Sequence, residues 1–347
     1  MGSDKQKLVA LAVVVALLGC VATICEASHG FPYPMTPREK KTIPALGLGL
    51  AFDYYKDTKC RGVEKTVRRV VKEEVDRYPG IGAGLIRLFF HDCFVEGCDA
   101  SVLLKATKDN PQPEMLGIPN INSLRGFEVI DKAKDALGEE CREVVSCADI
   151  LAFAARDATV LLGKVKHFEM PAGRYDGKRS LASDTLPNLP PPFADVATLK
   201  AMFLEKGLNT DEMVVLSGAH TIGISHCSSF GSRINASNPS DMDPNYASEL
   251  RAKCNNQPTN TVNQDFKTPD DLDRQYYQNV LDKKVLFESD AALLSSSDTE
   301  GAVKEYAEPS GKWEEKFQEA MVKMGNIGVK SKGNDAEIRK VCGSVNY

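Results

Sequence analysis

No block of basic residues in this 347-residue chain is long enough to follow a phosphate backbone, and 43 Lys and Arg against 48 Asp and Glu leave a formal charge of −5. A nucleic-acid partner is therefore not expected. Apolar runs able to span a bilayer are also missing. Leu8–Leu18 falls short of the roughly 20 residues a spanning helix needs, and nothing later in the chain comes closer. Paired C-x-x-C motifs are absent, which argues against zinc as the reason for ten cysteines. Asn-x-Ser/Thr sequons are reduced to one, Asn235-Ala236-Ser237, because Asn238 is followed by Pro239.

What is present begins with an export signal. Lys5 and Lys7 precede the apolar stretch, and Cys25-Glu26-Ala27 offers small residues for cleavage, so residues 1–27 read as a secretory signal. Cys20 and Cys25 fall inside it. The eight cysteines that remain are Cys60, Cys93, Cys98, Cys141, Cys147, Cys227, Cys254 and Cys342. An even number in an exported chain points to four disulfides, and spacing alone does not choose among the possible pairings. Residues 28–51 are rich in Pro and Gly and lack a helical or strand period, so they read as an irregular arm, either a removable pro-segment or a surface extension. Residues 52–347 are left for the folded domain, long enough to bury a large core.

The chain is organised around Gly84–Val95, an apolar run that holds one arginine and ends in His-Asp-Cys. As a helix it sets Arg87 and His91 four residues apart on one face, with Phe90 beside them. An arginine there is expensive to bury and needs an anionic partner, from the protein or from a ligand. Taken alone, the two would read as a paired core arginine and a satisfied helix-end histidine. Their company says otherwise. Arg87 to Ser101, Arg-x-x-Phe-His-Asp-Cys-Phe-Val-x-Gly-Cys-Asp-Ala-Ser, resembles the distal segment of the secretory plant heme peroxidases, the class III peroxidases.

The resemblance covers about Phe52 to Cys342 and implies a mainly α heme peroxidase fold, with heme b held between a distal and a proximal helical half. It further implies two Ca2+ ions and disulfides joining Cys60 to Cys141, Cys93 to Cys98, Cys147 to Cys342 and Cys227 to Cys254; a monomer is expected. Val63, Val67, Val70, Val71 and Val75 recur at helical spacing, which predicts a helix over 62–77 ended by Tyr78-Pro79-Gly80. Beyond His91, oxygen donors at Asp92, Asp99 and Ser101 suit calcium, although such loops are most often plain turns. The resemblance implies a distal calcium on Asp92, Val95, Gly97, Asp99 and Ser101, with Glu114 in the network behind it. It also implies that Asn120 orients His91, since accepting the proton of one ring nitrogen leaves the other free as a base.

Val129–Leu137 and Cys147–Leu162 give two more helical patterns, with Asp149 and Asp157 expected on the surface of the second or at its cap. Arg142 and Tyr175 depart from the family pattern, as expected surface changes, the second close enough to affect packing at Arg174. Asn188–Phe193 holds three prolines and is expected to be rigid and extended. The resemblance gives the Pro190 carbonyl the role of accepting hydrogen bonds from phenols at the heme edge, with Phe193 alongside. A helix from about Asp211 leads into Ser217-Gly218-Ala219-His220-Thr221, whose small residues would let a flat macrocycle approach. His220 matches the proximal heme ligand and Asp290 the carboxylate that holds it. Thr221, Asp265, Thr268, Asp271 and Asp273 match a second calcium site, while Gln264 stands where relatives place a hydrophobic residue. Trp313, Phe317, Ala320, Met321 and Met324 mark a last amphipathic helix, and the short stretch after Cys342 carries no vacuolar tail, so secretion to the apoplast or cell wall is expected.

The implied activity is reduction of hydrogen peroxide with one-electron oxidation of phenols, His91 acting as acid and base and Arg87 stabilising negative charge. Two other readings compete. A second iron ligand at His91 would make the protein a bis-histidine electron carrier, but Arg87 and Asn120 suit a small ligand in an open site. A catalytically silent heme or wall-binding protein would need the disulfides and not the distal pair.

Overall fold

The computed structural model describes residues 49–238 and 240–346; the signal and almost all of the irregular arm lie outside the described residues. The first helix, α1 (Val63–Arg77), buries the five predicted valines and turns its charges outward, where Arg69–Glu73 and Lys72–Asp76 pair one turn apart. Tyr78 takes an extended conformation and ends it. Next comes α2 (Gly80–Val95), buried along most of its length, as its scarcity of polar residues demands. After α3 (Phe127–Ala136) and the short α4 (Glu139–Arg142), Ser146 caps α5 (Cys147–Gly163) by accepting from the Asp149 N–H at 3.0 Å. Small alanines on α5 let α1 and α2 pack against it, which makes α5 the central rod of this half.

The second half holds α6 (Thr185–Asn188), α7 (Val196–Glu205), α8 (Thr210–Ser217) and α9 (Pro244–Cys254). It continues with α10 (Gln275–Leu281), α11 (Glu288–Ala291), α12 (Ser297–Ala307) and α13 (Trp313–Met324). α8 packs on α12 and α13, and α12 on α10. Among the described residues, strands are confined to two short antiparallel pairs, β1 (Asp176–Gly177) with β4 (Ala336–Glu337) and β2 (Ile224–His226) with β3 (Thr261–Asn263). The fold is mainly α. A main core runs through both halves, and a smaller one around α9 and β3 gathers Phe230, Tyr246, Leu250 and Leu286. Periodicity did not locate α7, which buries only Leu199 and Phe203, nor the short α9 and α10.

Disulfides join Cys60 to Cys141, Cys93 to Cys98, Cys147 to Cys342 and Cys227 to Cys254. The third ties the start of α5 to the C-terminal segment. That segment is also held by contact between two glycines: a Cβ on Gly97 would come within 2.5 Å of the Gly328 carbonyl, and both residues have positive φ.

Three expectations need correction. Asp149 and Asp157 are buried, not on the helix surface. Asp157 pairs with Arg156, which also reaches Glu64 and lies over the Phe153 ring. Asp149 accepts from Tyr55 Oη at 2.7 Å, from the Gly173 N–H at 2.8 Å and from Arg174 Nη1 at 2.8 Å. Arg174 in turn donates to Pro171 O and Gly325 O, so this one pair binds α5 to the start of the second half and to the end of α13. Such grouping cannot be read from helical spacing, because the partners lie far apart in sequence. Asn188–Phe193 is not extended throughout either. Asn188 ends α6, and the Ala194 N–H donates to Pro191 O at 3.0 Å, a turn whose second position suits the fixed φ of Pro192.

The two departures at the periphery fit where they stand. Arg142 pairs with Asp135, and half-buried Tyr175 bridges to Lys330 through its backbone without disturbing Arg174. Asp149→Ala would leave the Arg174 charge buried and unpaired, at an expected cost of about 3–5 kcal/mol. Guanidinium chloride unfolding of the variant against the parent measures it.

Candidate active site

Helix α2 carries Arg87 and His91 on successive turns toward the 117–125 loop. The His91 Nδ1–H donates to Asn120 Oδ1 at 2.6 Å, and Asn120 Nδ2 donates to the Glu114 carbonyl at 2.8 Å. With its nitrogen committed to a carbonyl, the amide must present oxygen to the ring. The imidazole proton therefore sits on Nδ1, and Nε2 keeps its lone pair. Burial, reinforced by the nearby Arg87 charge, holds His91 well below the usual 6.5, so the ring is neutral at pH 7; the Asn120 bond pulls the other way.

Arg87 donates from Nη2 to Pro119 O at 2.9 Å and from both terminal nitrogens to Ser123 Oγ at 3.2 Å. Among the described residues it forms no ion pair. Burial, with Arg125 adding to it, lowers the guanidinium to about 10. A cation anchored by neutral acceptors is poised for an electron-rich ligand. Phe90 meets the His91 ring edge-on at 5.7 Å and leans on Phe94 at 4.2 Å, so it walls the same space. Ser123 and Pro119 escaped the sequence reading as anchors, although both lie in the run that carries Asn120.

Behind His91, Asp92 accepts from the Ala100 and Val102 N–H groups at 2.9 and 3.4 Å, and Asp99 Oδ1 from the Ser101 N–H at 3.0 Å. Ser101 Oγ and both Glu114 carboxylate oxygens are buried without a hydrogen-bond partner. Asp99 Oδ2 has only the Lys330 ammonium, at 2.9 Å. Burial first and mutual repulsion second push Asp92 and Glu114 well above the carboxylate range. Val95, in the last turn of α2, and Gly97 can add only carbonyls. Among the described residues no three His, Cys, Asp or Glu side chains converge to chelate one ion, so a mixed carboxylate, hydroxyl and carbonyl set is what a cation would meet. Such hard oxygens fit Ca2+ and not zinc. Arg339, bonded to Ala100 O at 2.5 Å, closes the loop from the C-terminal side, a contact with no local signal in sequence.

On the other side, α8 runs into a single tight turn, Gly218–Thr221, that carries His220. The His220 Nδ1–H donates to Asp290 Oδ1 at 2.8 Å, while Asp290 is fixed by Tyr276 Oη at 2.8 Å and by the Phe287 N–H. Nε2 is thereby left as the ring's ligating atom, on a side chain 39 % exposed, which fits a heme iron. Gly218 does not serve a macrocycle's approach. A Cβ there would meet Tyr277 Oη at 2.6 Å and Trp313 Nε1 at 2.7 Å, so its smallness admits packing against α10 and α13.

Thr221 Oγ1 and Thr268 Oγ1 each lie 3.1–3.3 Å from Asp265 Oδ2 and Asp273 Oδ1, a second oxygen cluster suited to a hard cation. Burial raises Asp273. The Asp271 carboxylate makes no hydrogen bond within this cluster; its Oδ1 pairs with Lys164 at 2.6 Å. Half-buried Gln264 closes the β2–β3 edge through its N–H to Gly223 O. Pro190 is half-buried and Phe193 is 69 % exposed, and the Ser289 N–H on Pro192 O ties this segment to α11, which carries Asp290.

A neutral buried imidazole beside an unpaired guanidinium, and a second imidazole held by a carboxylate, define a heme enzyme that handles a small oxidant. A family model described as Peroxidase matches residues 67–309. The chain is 48% identical to Peroxidase 2 of Zea mays over 96% of its own length and 95% of the relative's. It is 44% identical to Peroxidase 39 of Arabidopsis thaliana over 86% and 93%, and 45% identical to Peroxidase 5 of Vitis vinifera over 87% and 93%. The chain belongs to the plant class III heme peroxidases.

Asp92 and Glu114 must lose protons to hold a cation, and their raised pKa values mean that they hold those protons to higher pH. Added Ca2+ should therefore raise the melting temperature of chelator-treated protein more at pH 8 than at pH 5; at pH 8 a hundredfold excess over Kd is worth about 2.7 kcal/mol of stability. Differential scanning fluorimetry at the two pH values tests the sign.

Proposed function

We propose that this peroxidase works outside the cell, reducing hydrogen peroxide at the His91 side and oxidising small phenols by single electrons, in cell-wall or stress chemistry. Heme b bound through His220 Nε2 would supply the redox chemistry. The protein does the rest. His91 Nε2 takes a proton from hydrogen peroxide and returns it to the departing oxygen, which leaves as water. Arg87 stabilises the negative charge that builds on that oxygen, and Asn120 keeps the proton of Nδ1 in place. Asp290 holds the proton of His220 on Nδ1 and fixes the ring, leaving Nε2 for the iron. A phenol hydroxyl would donate to the Pro190 carbonyl, with Phe193 against its ring. Ca2+ held by Asp92, Val95, Gly97, Asp99 and Ser101, with Glu114 behind, would brace His91 through Glu114 and Asn120. A second ion would sit among Thr221, Asp265, Thr268, Asp271 and Asp273.

The observation that carries this reading is the unpaired Arg87 beside a neutral His91 whose free nitrogen is Nε2. An electron carrier ligated by both histidines has no use for that cation. Export is supported by the four disulfides and by exposed Asn235 in the sequon, with residues 1–27 as leader, and the working form is taken as a monomer.

Guaiacol oxidation that depends on peroxide, together with a Soret band, tests the reading as a whole; heme without turnover would favour a silent binding protein. His91→Ala should keep the Soret band and slow the reaction with peroxide by at least about 10²-fold, as stopped-flow would show. Because His91 protonates only well below 6.5, the parent rate should stay level as pH falls past that value. Arg87 is one cause of the depression, so Arg87→Gln should move the acid limb to higher pH; an unmoved limb would separate it from His91.

A further inference from the structure

Beside Asp290 begins a run of rings that the chemistry above does not use. Tyr276, bonded to Asp290, has its ring 6.2 Å from that of His220. Tyr277 follows at 5.0 Å, and from Tyr277 the ring of Tyr306 lies at 5.5 Å and that of Trp313 at 5.9 Å. All four are buried, and packing alone would explain the rings. It does not explain their polar ends. Tyr277 Oη donates to the Val214 and Val215 carbonyls and Trp313 Nε1 to the Val215 carbonyl, none of which can take a proton. The Tyr306 hydroxyl instead donates to the Asp211 carboxylate and accepts from Lys316 Nζ at 2.7 Å, and both partners reach solvent. A buried phenol loses an electron readily only if its proton leaves as well, since a radical cation would carry an uncompensated charge in the interior. Within the run, Tyr276 and Tyr306 have a carboxylate to receive it.

We propose that Tyr276 and Tyr306, bridged by the Tyr277 ring, form a redox relay that carries oxidising equivalents from the His220 side to Tyr306 when no donor occupies the pocket. In each event one electron passes from Tyr306 through Tyr277 and Tyr276 and reduces the oxidised centre by one equivalent. The Tyr306 O–H bond breaks, its proton goes to Asp211, and a neutral phenoxyl radical remains, hydrogen-bonded by Lys316. Hydrogen peroxide is the oxidant, through the peroxidase reaction. A phenolic donor arriving at the Asp211–Lys316 surface restores Tyr306 by giving back one electron and one proton. The relay rests on His220 being the heme ligand.

The test reacts the heme-loaded protein with hydrogen peroxide in the absence of donor and in the presence of a nitroso spin trap, and maps the adduct by peptide mass spectrometry. Electron paramagnetic resonance of protein grown on ring-deuterated tyrosine runs alongside, and needs no substitution. The expected result is an adduct on Tyr306 and a tyrosyl signal that narrows on deuteration. Tyr306→Phe should lose the adduct at that position while reacting with peroxide at the parent rate, and Tyr277→Leu should lose it by removing the ring that bridges Tyr276 and Tyr306. A parent protein whose Soret band responds normally to peroxide yet carries no adduct on Tyr306 overturns the relay alone, as does an adduct that survives in Tyr277→Leu. A protein whose Soret band does not respond at all overturns the relay and the proposed function together.

Discussion

The hydrogen bond between His91 and Asn120 is where the distal half meets its chemistry. It decides which ring nitrogen holds the proton, and it does so only because the Asn120 nitrogen is already spent on the Glu114 carbonyl. Glu114 in turn lies buried against the acidic loop that follows α2. The base is thus connected, through two short bonds, to a cluster of oxygens that repel one another without a cation. Anything that loosens the cluster would act on the imidazole, even though no cluster residue touches the reacting atoms.

Elsewhere the interior tolerates charge by a different device. Asp149 with Arg174, and Arg156 with Asp157, are buried and fully matched; Arg174 comes to Asp149 from a distant loop, and Arg156 also reaches from α5 to Glu64 on α1. These pairs contribute geometric specificity more than net stability, since removing both partners of a buried pair is far less costly than removing one. Arg87 is the exception that reveals function. The fully buried arginines have carboxylates, whereas half-buried Arg87 has a carbonyl and a hydroxyl.

How far the chain was readable varied with the range of the interaction. α1, α2, α5 and α13 follow from local period, because their apolar residues recur on one face or fill every face. α7 did not follow, since two buried side chains make no stripe. Arg87 and His91 stood out together because both lie on one helix one turn apart. Lys330, Arg339 and Tyr276, which close or brace the site, gave no local signal at all. Asp149 was misread for the same reason: an aspartate three residues past a capping serine looks like a helix-end residue until its distant arginine is seen.

By itself the sequence, through the motifs in which it resembles the family, pointed to the mainly helical class and to the two histidines with the residues around them, because each motif lies within a single helix or turn. Tertiary structure alone decided that the Asn120 nitrogen is spent on the Glu114 carbonyl, that the Asp271 carboxylate pairs with Lys164, that Gly218 packs against Tyr277 and Trp313, and that among the described residues Arg87 has no carboxylate. Each of these is a question of which distant group a side chain reaches first, and a linear pattern does not carry that distance.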